Sequence, residues 1–251
     1  MKFSNLSFVP LLAFVYFSTA SCTNQGNQEA TTTTTSTDTN TMSPSPPPTV
    51  PVTTSTFDTT AQHMMVVRHR VKNYNQWQTF YDGNDSMRQA ASLRPYSISR
   101  GITDTSTIMV AAIASDLDKA KTFVKSASLK QAMTKSGAVG TPVVNVYTLR
   151  SRNSLSAGTE LRSMTTFMVK DWDTWRRKFD STRQVRVDNG LIDRAYGHEA
   201  DNNKKVVVVV AVTDSARAAA FWKSDTLRKL RQASGNTTQP ERFLYRVVKR
   251  Y

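Results

Sequence analysis

The chain has 251 residues, a formal net charge of +14 and a single cysteine. One cysteine excludes an internal disulfide framework and any thiolate metal cluster, while a hydrophobic fraction of 39% is ordinary for a globular protein. The charge is unevenly placed: residues 1–60 set Lys2 against Glu29, Asp38 and Asp58, so residues 61–251 carry 32 lysines and arginines against 16 acidic residues.

Residues 1–22 read MKFSNLSFVPLLAFVYFSTASC. Lys2 supplies a minimal positive start, and Leu6 to Phe17 form an apolar run too short to span a bilayer as a stable helix. The small residues Ser18, Thr19, Ala20 and Ser21 stand directly before Cys22. This arrangement resembles a bacterial lipoprotein signal, which implies acylation of Cys22 and an exported chain anchored in the cell envelope, at the outer membrane or facing the periplasm. An ordinary secretory signal cleaved near Ser21 is the alternative. Residues 23–60 include TTTTTSTDTNT and SPSPPPTVP and offer almost nothing to bury, so ordering them would cost entropy without return. They are expected to form a disordered tether, stiffened toward polyproline II at the prolines.

The remainder is one motif used twice. Residues 71–150 match residues 169–248 without a gap at a constant offset of 98, with 17 identities in 80 pairs. Val71-Lys72-Asn73-Tyr74-Asn75-Gln76-Trp77 faces Val169-Lys170-Asp171-Trp172-Asp173-Thr174-Trp175, and Gly137, Pro142 and Tyr147 face Gly235, Pro240 and Tyr245. In each copy a strand (Met64–Val71 in the first) leads to a helix capped by Asn73 or Asp171. Trp77, Phe80, Tyr81, Met87 and Ala91 give that helix its apolar stripe. Strands at about 94–101 and 106–114 follow, then a helix opened by Asp116 or Asp214 and stopped by Gly137 or its counterpart. A last strand is expected at 142–149. The division is repeat 1 at 61–150, a hinge at 151–160 and repeat 2 at 161–251.

The order is β-α-β-β-α-β, a ferredoxin-like plan. A four-stranded sheet with helices on one face leaves the other face to be buried, and two copies in one chain can bury theirs together. The expected fold class is therefore α+β: two tandem ferredoxin-like repeats packed as an intrachain α+β barrel, with a monomer favoured over a dimer. The V-K-[ND]-[YW]-[ND]-x-W start, an S-x-x-L helix end and a G-x(4)-P entry to the last strand resemble the dimeric α+β barrel superfamily, which includes the antibiotic-biosynthesis monooxygenases. That resemblance covers about 180 residues. It implies cofactor-independent oxygenation of a phenolic polycyclic substrate as one activity class, beside haem-handling, isomerase and non-catalytic members.

Recognisable chemistry is sparse. The histidines are His63, His69 and His198, with no H-x-x-x-H spacing, and there is no G-x-S-x-G elbow, P-loop or G-x-G-x-x-G. No metal site and no cofactor are expected. The candidate ligand-binding residues are polar groups on strands. His69 shares a face with Met65, Val67 and Val71. On the second strand of each repeat, Arg94, Tyr96, Ile98 and Arg100 are expected to share a face, as are Ile192, Arg194, Tyr196 and His198. Tyr96, Arg100, Arg194, Tyr196 and His198 would then line a pocket for a small aromatic or anionic molecule. The positive charge spreads over both repeats, and an exported protein meets no chromosomal DNA, so an anionic envelope surface is a better counterpart than nucleic acid. Three functions remain open: a small-molecule-binding or non-catalytic envelope module, a monooxygenase-like enzyme, and a structural protein that binds anionic surface.

Overall fold

The computed structural model describes residues 57–58 and 60–251, with residue 154 excepted. The signal-like segment, Cys22 and nearly all of the expected tether lie outside the described residues. Repeat 1 comprises β2 (Gln62–Val71), α1 (Tyr74–Gly83), α2 (Asp85–Ala90), β3 (Leu93–Gly101), β4 (Thr107–Ala114), α3 (Leu117–Val124), α4 (Ala127–Lys135) and β5 (Ala138–Asn153), preceded by the two-residue β1 (Phe57–Asp58). Repeat 2 comprises β6 (Leu161–Met168), α5 (Trp172–Ser181), α6 (Arg183–Asp188), β7 (Leu191–Glu199), β8 (Asn202–Val212), α7 (Ser215–Lys223), α8 (Asp225–Ala233) and β9 (Glu241–Arg250).

The expected caps are in place. Carboxylate or amide oxygens of Asn73, Asp116, Asp171 and Asp214 accept the backbone N–H of Gln76, Lys119, Thr174 and Arg217 at 2.7–3.0 Å. Gly137 and Gly235 adopt φ of +78° and +80°, the left-handed conformation that ends a helix and that side-chain-bearing residues resist.

Two expectations change. Each helix is a pair of short helices, and the S-x-x-L motif starts the second member rather than ending one. The hydroxyls of Ser126 and Ser224 accept the N–H of Leu129 and Leu227 at 3.1 and 3.2 Å, which favours a new helix start over continuation. In addition, β5 runs on through Asn153, past the point where the hinge was expected to begin.

Within each repeat the strands pair antiparallel in the order β5-β2-β4-β3 and β9-β6-β8-β7. Two seams join them. β3 pairs with β9 from Ser97↔Arg250 to Gly101↔Tyr245, and β5 pairs with β7 from Tyr147↔Glu199 to Arg152↔Ala195. Each of the eight long strands therefore has a neighbour on both sides, and the sheet closes on itself with the two repeats in equivalent positions. Closure removes exposed edges. The extra length of β5 serves this end, because residues 147–152 make the seam after residues 138–149 have paired with β2.

Three apolar layers result. Met64, Val66, Met109, Ala111, Tyr147, Met164, Val207 and Tyr245 fill the barrel. Outside it, each repeat packs its helices on the opposite sheet face. Val169, Trp175, Val206, Val208 and Phe221 form that layer in repeat 2. In repeat 1 it consists of Met65, Val67, Leu93, Phe123, Trp77, Ile98 and Ile108. Trp77 and Trp175 are each only 2% exposed, so they are core anchors of the helix–sheet layer.

Candidate functional site

A bulge in the second strand of each repeat decides where the candidate residues point. Pairing of β3 with β4 shifts between Pro95 and Ser97, and pairing of β7 with β8 shifts between Asp193 and Ala195. The extra residue is Tyr96 in one repeat and Arg194 in the other, positions related by the offset of 98. A bulge reverses which face the following residues take. Tyr96 and Arg194 consequently turn to the barrel interior, whereas Ile98, Arg100, Tyr196 and His198 turn to the helices. The expectation that these residues share one face with Tyr96 or Arg194 is corrected on this ground.

Tyr96 and Arg194 meet at one mouth of the barrel, with Arg152, Arg162, Arg250 and Glu160. Glu160 sits 2.5 Å from Arg250 and 3.8 Å from Arg162. Arg194 donates to the Leu155 carbonyl. Burial lowers the basicity of Arg162 and of Arg194, and for Arg194 the neighbouring Arg162 adds to the effect.

The outward-turned candidates are held by packing. Arg100 donates from Nε to the Thr105 carbonyl at 2.9 Å and lies 4.6 Å from the Tyr74 ring centroid. Tyr196 packs edge-on to Trp175 and Phe179, with its phenol pushed up by burial and by a hydrogen bond to Asp180. His198 has Nδ1 2.9 Å from the Glu199 carbonyl and its ring edge-on to Trp172 at 4.9 Å.

His69 is different. It is 5% exposed, and neither ring nitrogen has a hydrogen-bond partner among the described residues. It faces a cleft between sheet and helices, partly open to solvent, lined by Met65, Val67, Trp77, Phe80, Tyr81 and Met133. Its ring centroid lies 5.7 Å from that of Trp77, at 58°. Trp77 stacks on Tyr81 at 5.2 Å, and the Tyr81 hydroxyl is a second buried polar atom without a partner. Burial lowers the His69 pKa to about 4 and raises that of Tyr81 to about 12. At neutral pH the cleft thus presents one neutral imidazole and one neutral phenol in a largely apolar wall, to which Arg88, paired with Asp85 and lying 3.9 Å from the Tyr81 ring centroid, adds a guanidinium, and Asn84 and Ser136 add polar groups.

The matching cleft of repeat 2 holds Phe167 where repeat 1 has His69. Phe167 meets Trp175 at the same 5.7 Å and 58°. The ring geometry is therefore set by the shared packing, and the imidazole brings unpaired nitrogens into a place that a plain phenyl ring fills equally well. Beneath this second cleft Arg186 and Asp193 form a buried two-point ion pair at 2.7 and 2.6 Å. Among the described residues no group of three or more His, Cys, Asp or Glu side chains is arranged to hold a metal ion. No helix among them is long and apolar enough to cross a membrane.

No family model and no curated protein matches the sequence. Solved structures do match the fold. A provisionally assigned monooxygenase from Fusobacterium nucleatum shares 11% identity, with a TM-score of 0.50, over 75% of this chain and 93% of its own. A second provisionally assigned monooxygenase, from Lactobacillus acidophilus, shares 7% identity with a TM-score of 0.50 over 74% of this chain and 94% of its own. A protein described as anthrone oxidase-like shares 10% identity with a TM-score of 0.52 over 75% of this chain and 92% of its own. The likeness establishes the fold alone. Each match spans more of this chain than one repeat supplies, so these neighbours resemble the closed two-repeat unit.

Of the six sequence-derived candidates, Tyr96 and Arg194 come together at the mouth and His69 stands in a separate cleft. Sequence reasoning missed Tyr81, whose hydroxyl shares that cleft, and the mouth residues Arg152, Arg162 and Arg250. It also missed Arg231 and Arg242 in the second cleft, although the offset of 98 sets them against Met133 and Val144. That contrast between copies was the available signal.

Proposed function

We propose that this chain is a small-molecule-binding protein of the cell envelope, and that its ligand occupies the repeat 1 cleft against His69. The observation that carries the reading is the buried, unpartnered imidazole. Leaving a buried donor or acceptor unpaired costs about 1–3 kcal/mol, and a fold that places phenylalanine at the equivalent point of its other half has no packing need for it. A ligand with one hydroxyl and a flat apolar body meets both nitrogen and wall. Phenolic ring systems are the first class to test, since one structural neighbour is described as anthrone oxidase-like.

Binding is favoured over oxygenation by the state of the histidine. Cofactor-independent oxygenation of a phenol needs a base, and an imidazole held to a pKa of about 4 is a weak one against a phenol near 10. It works instead as a neutral hydrogen-bonding group.

Ligand-dependent melting of the full chain tests the site. A phenolic ligand at a hundredfold excess over its dissociation constant adds about 2.7 kcal/mol of stability, and the His69→Phe variant should lose that gain. Equal gains in both proteins would remove His69 from the site. The envelope address rests on the signal-like residues 1–22 and on Cys22 being the one cysteine. Incorporation of a labelled fatty acid, absent in Cys22→Ser, is the expected result; labelling retained in that variant would refute the anchor.

A further inference from the structure

The two helix–sheet clefts have diverged in opposite chemical directions. Phe167, Arg231 and Arg242 of the second cleft stand at positions that the offset of 98 sets against His69, Met133 and Val144 in the first repeat. Arg242 on β9 pairs across to Thr165 on β6, and both residues face the second cleft. Its guanidinium carbon lies 4.2 Å from the centroid of Trp222, and its Nε is buried without a hydrogen-bond partner. Arg231, on α8, lines the same cleft. Neither arginine is in an ion pair among the described residues, unlike Arg186 just beneath, which Asp193 neutralises.

The surroundings make these two cations costly to keep. Burial lowers the basicity of Arg231, and that of Arg242 falls to about 10 through burial first and Arg231 second. No carboxylate lines the cleft, whereas Lys178 adds a third cation at its wall, and the buried Nδ2 of Asn236 is another donor without a partner. Thr165, Thr182, Ser234 and the Asp193-paired Arg186 also line the cleft, which is partly open to solvent, and the remainder is apolar and aromatic, with Phe167, Trp175, Phe179 and Phe221 among it. Half-buried like charges with unmet donors are relieved by an anion that accepts from several of them at once. A planar carboxylate does this, and the aromatic wall takes whatever apolar body it carries.

We propose that the repeat 2 cleft binds a carboxylic acid with an apolar body, its carboxylate held between Arg231 and Arg242 and its body against Trp175 and Phe179. The site is independent of the repeat 1 reading: different residues form it, and it recognises a charge that the His69 cleft does not.

Titration calorimetry of the full chain with 2-naphthoate and with decanoate, each beside its uncharged primary amide, tests this. At least one acid should bind tenfold or more tightly than its amide. A preference for naphthoate identifies a ring-bearing ligand, and a preference for decanoate a fatty acid. Arg242→Met should weaken the acid at least tenfold and leave the amide unchanged. If Arg242→Met does not melt cooperatively, Arg231→Met, which restores the residue of the first repeat, carries the same expectation. The proposal is overturned if neither acid binds, if acid and amide bind alike, or if the folded arginine variants bind the acid as well as the parent does.

Discussion

Replacing His69 with phenylalanine should make the ligand-free protein more stable, which is unusual for a change at a site 5% exposed. The imidazole carries one N–H donor and one acceptor nitrogen, both without partners among the described residues. Each unmet group costs about 1–3 kcal/mol relative to solvation. Phenylalanine removes both, and the Phe167–Trp175 contact, at the distance and angle of His69–Trp77, shows that the larger ring fits this frame. Allowing about 1 kcal/mol for overpacking, the net gain at pH 7 should be about 1–5 kcal/mol. Urea denaturation, with the midpoint shifted and the slope unchanged, reads this directly.

The same substitution has a pH signature. The His69 pKa is lowered from 6.5 to about 4 in the folded chain. As pH falls below 6.5 the unfolded chain takes up the proton first, so the parent loses stability until both states are protonated near pH 4. Between pH 7 and pH 5 this amounts to about 2 kcal/mol. His69→Phe should lack that component, so its advantage should widen at pH 5. A variant less stable than the parent at pH 7, with no widening at pH 5, would show that the nitrogens are satisfied in the folded chain and would refute the reasoning.

Other outcomes follow from the geometry. Asp193→Asn breaks the buried pair with Arg186 and strands a guanidinium, so it should cost about 3–5 kcal/mol by denaturation; the double change Arg186→Met with Asp193→Leu should recover most of that loss. Gly197 lies at the β5–β7 seam, where an added Cβ would press on the Thr148 carbonyl oxygen and stand 2.7 Å from the Leu149 Cα. Gly197→Ala should therefore destabilise the chain by about 2 kcal/mol or more and speed amide exchange in residues 147–152 before the rest of β5. Exchange unchanged at that seam would contradict barrel closure there.

Much of the fold was legible because the duplication repeats its own structural signals. Asn73, Asp116, Asp171 and Asp214 cap helices where their positions before apolar stripes place them, and Gly137 and Gly235 stop helices at equivalent points. The orientation of the second strand was not legible. Alternation assumes an unbroken register, and the bulges at 95–97 and 193–195 reverse it. Pro95 hinted at the first, since proline inside a strand favours a bulge; Asp193 gave no such hint in the second. The unmet nitrogens of His69 were also invisible, because a face shared with Met65 and Val67 says where the ring points but not what answers it. The strength of the second cleft's charge depended likewise on two arginines 11 residues apart that only the folded α8 and β9 bring to one cavity.

The most direct measurement of the central claim is nitrogen NMR of the imidazole rings in the full chain, labelled at histidine alone and assigned by comparison with His69→Phe. With three histidines in the sequence, the spectrum is simple. In the free protein the His69 signals should remain those of a neutral ring down to about pH 5, and a bound phenolic ligand should shift one nitrogen by hydrogen bonding. Titration of His69 near 6.5, with no change on adding any ligand that stabilises the protein, would contradict the account.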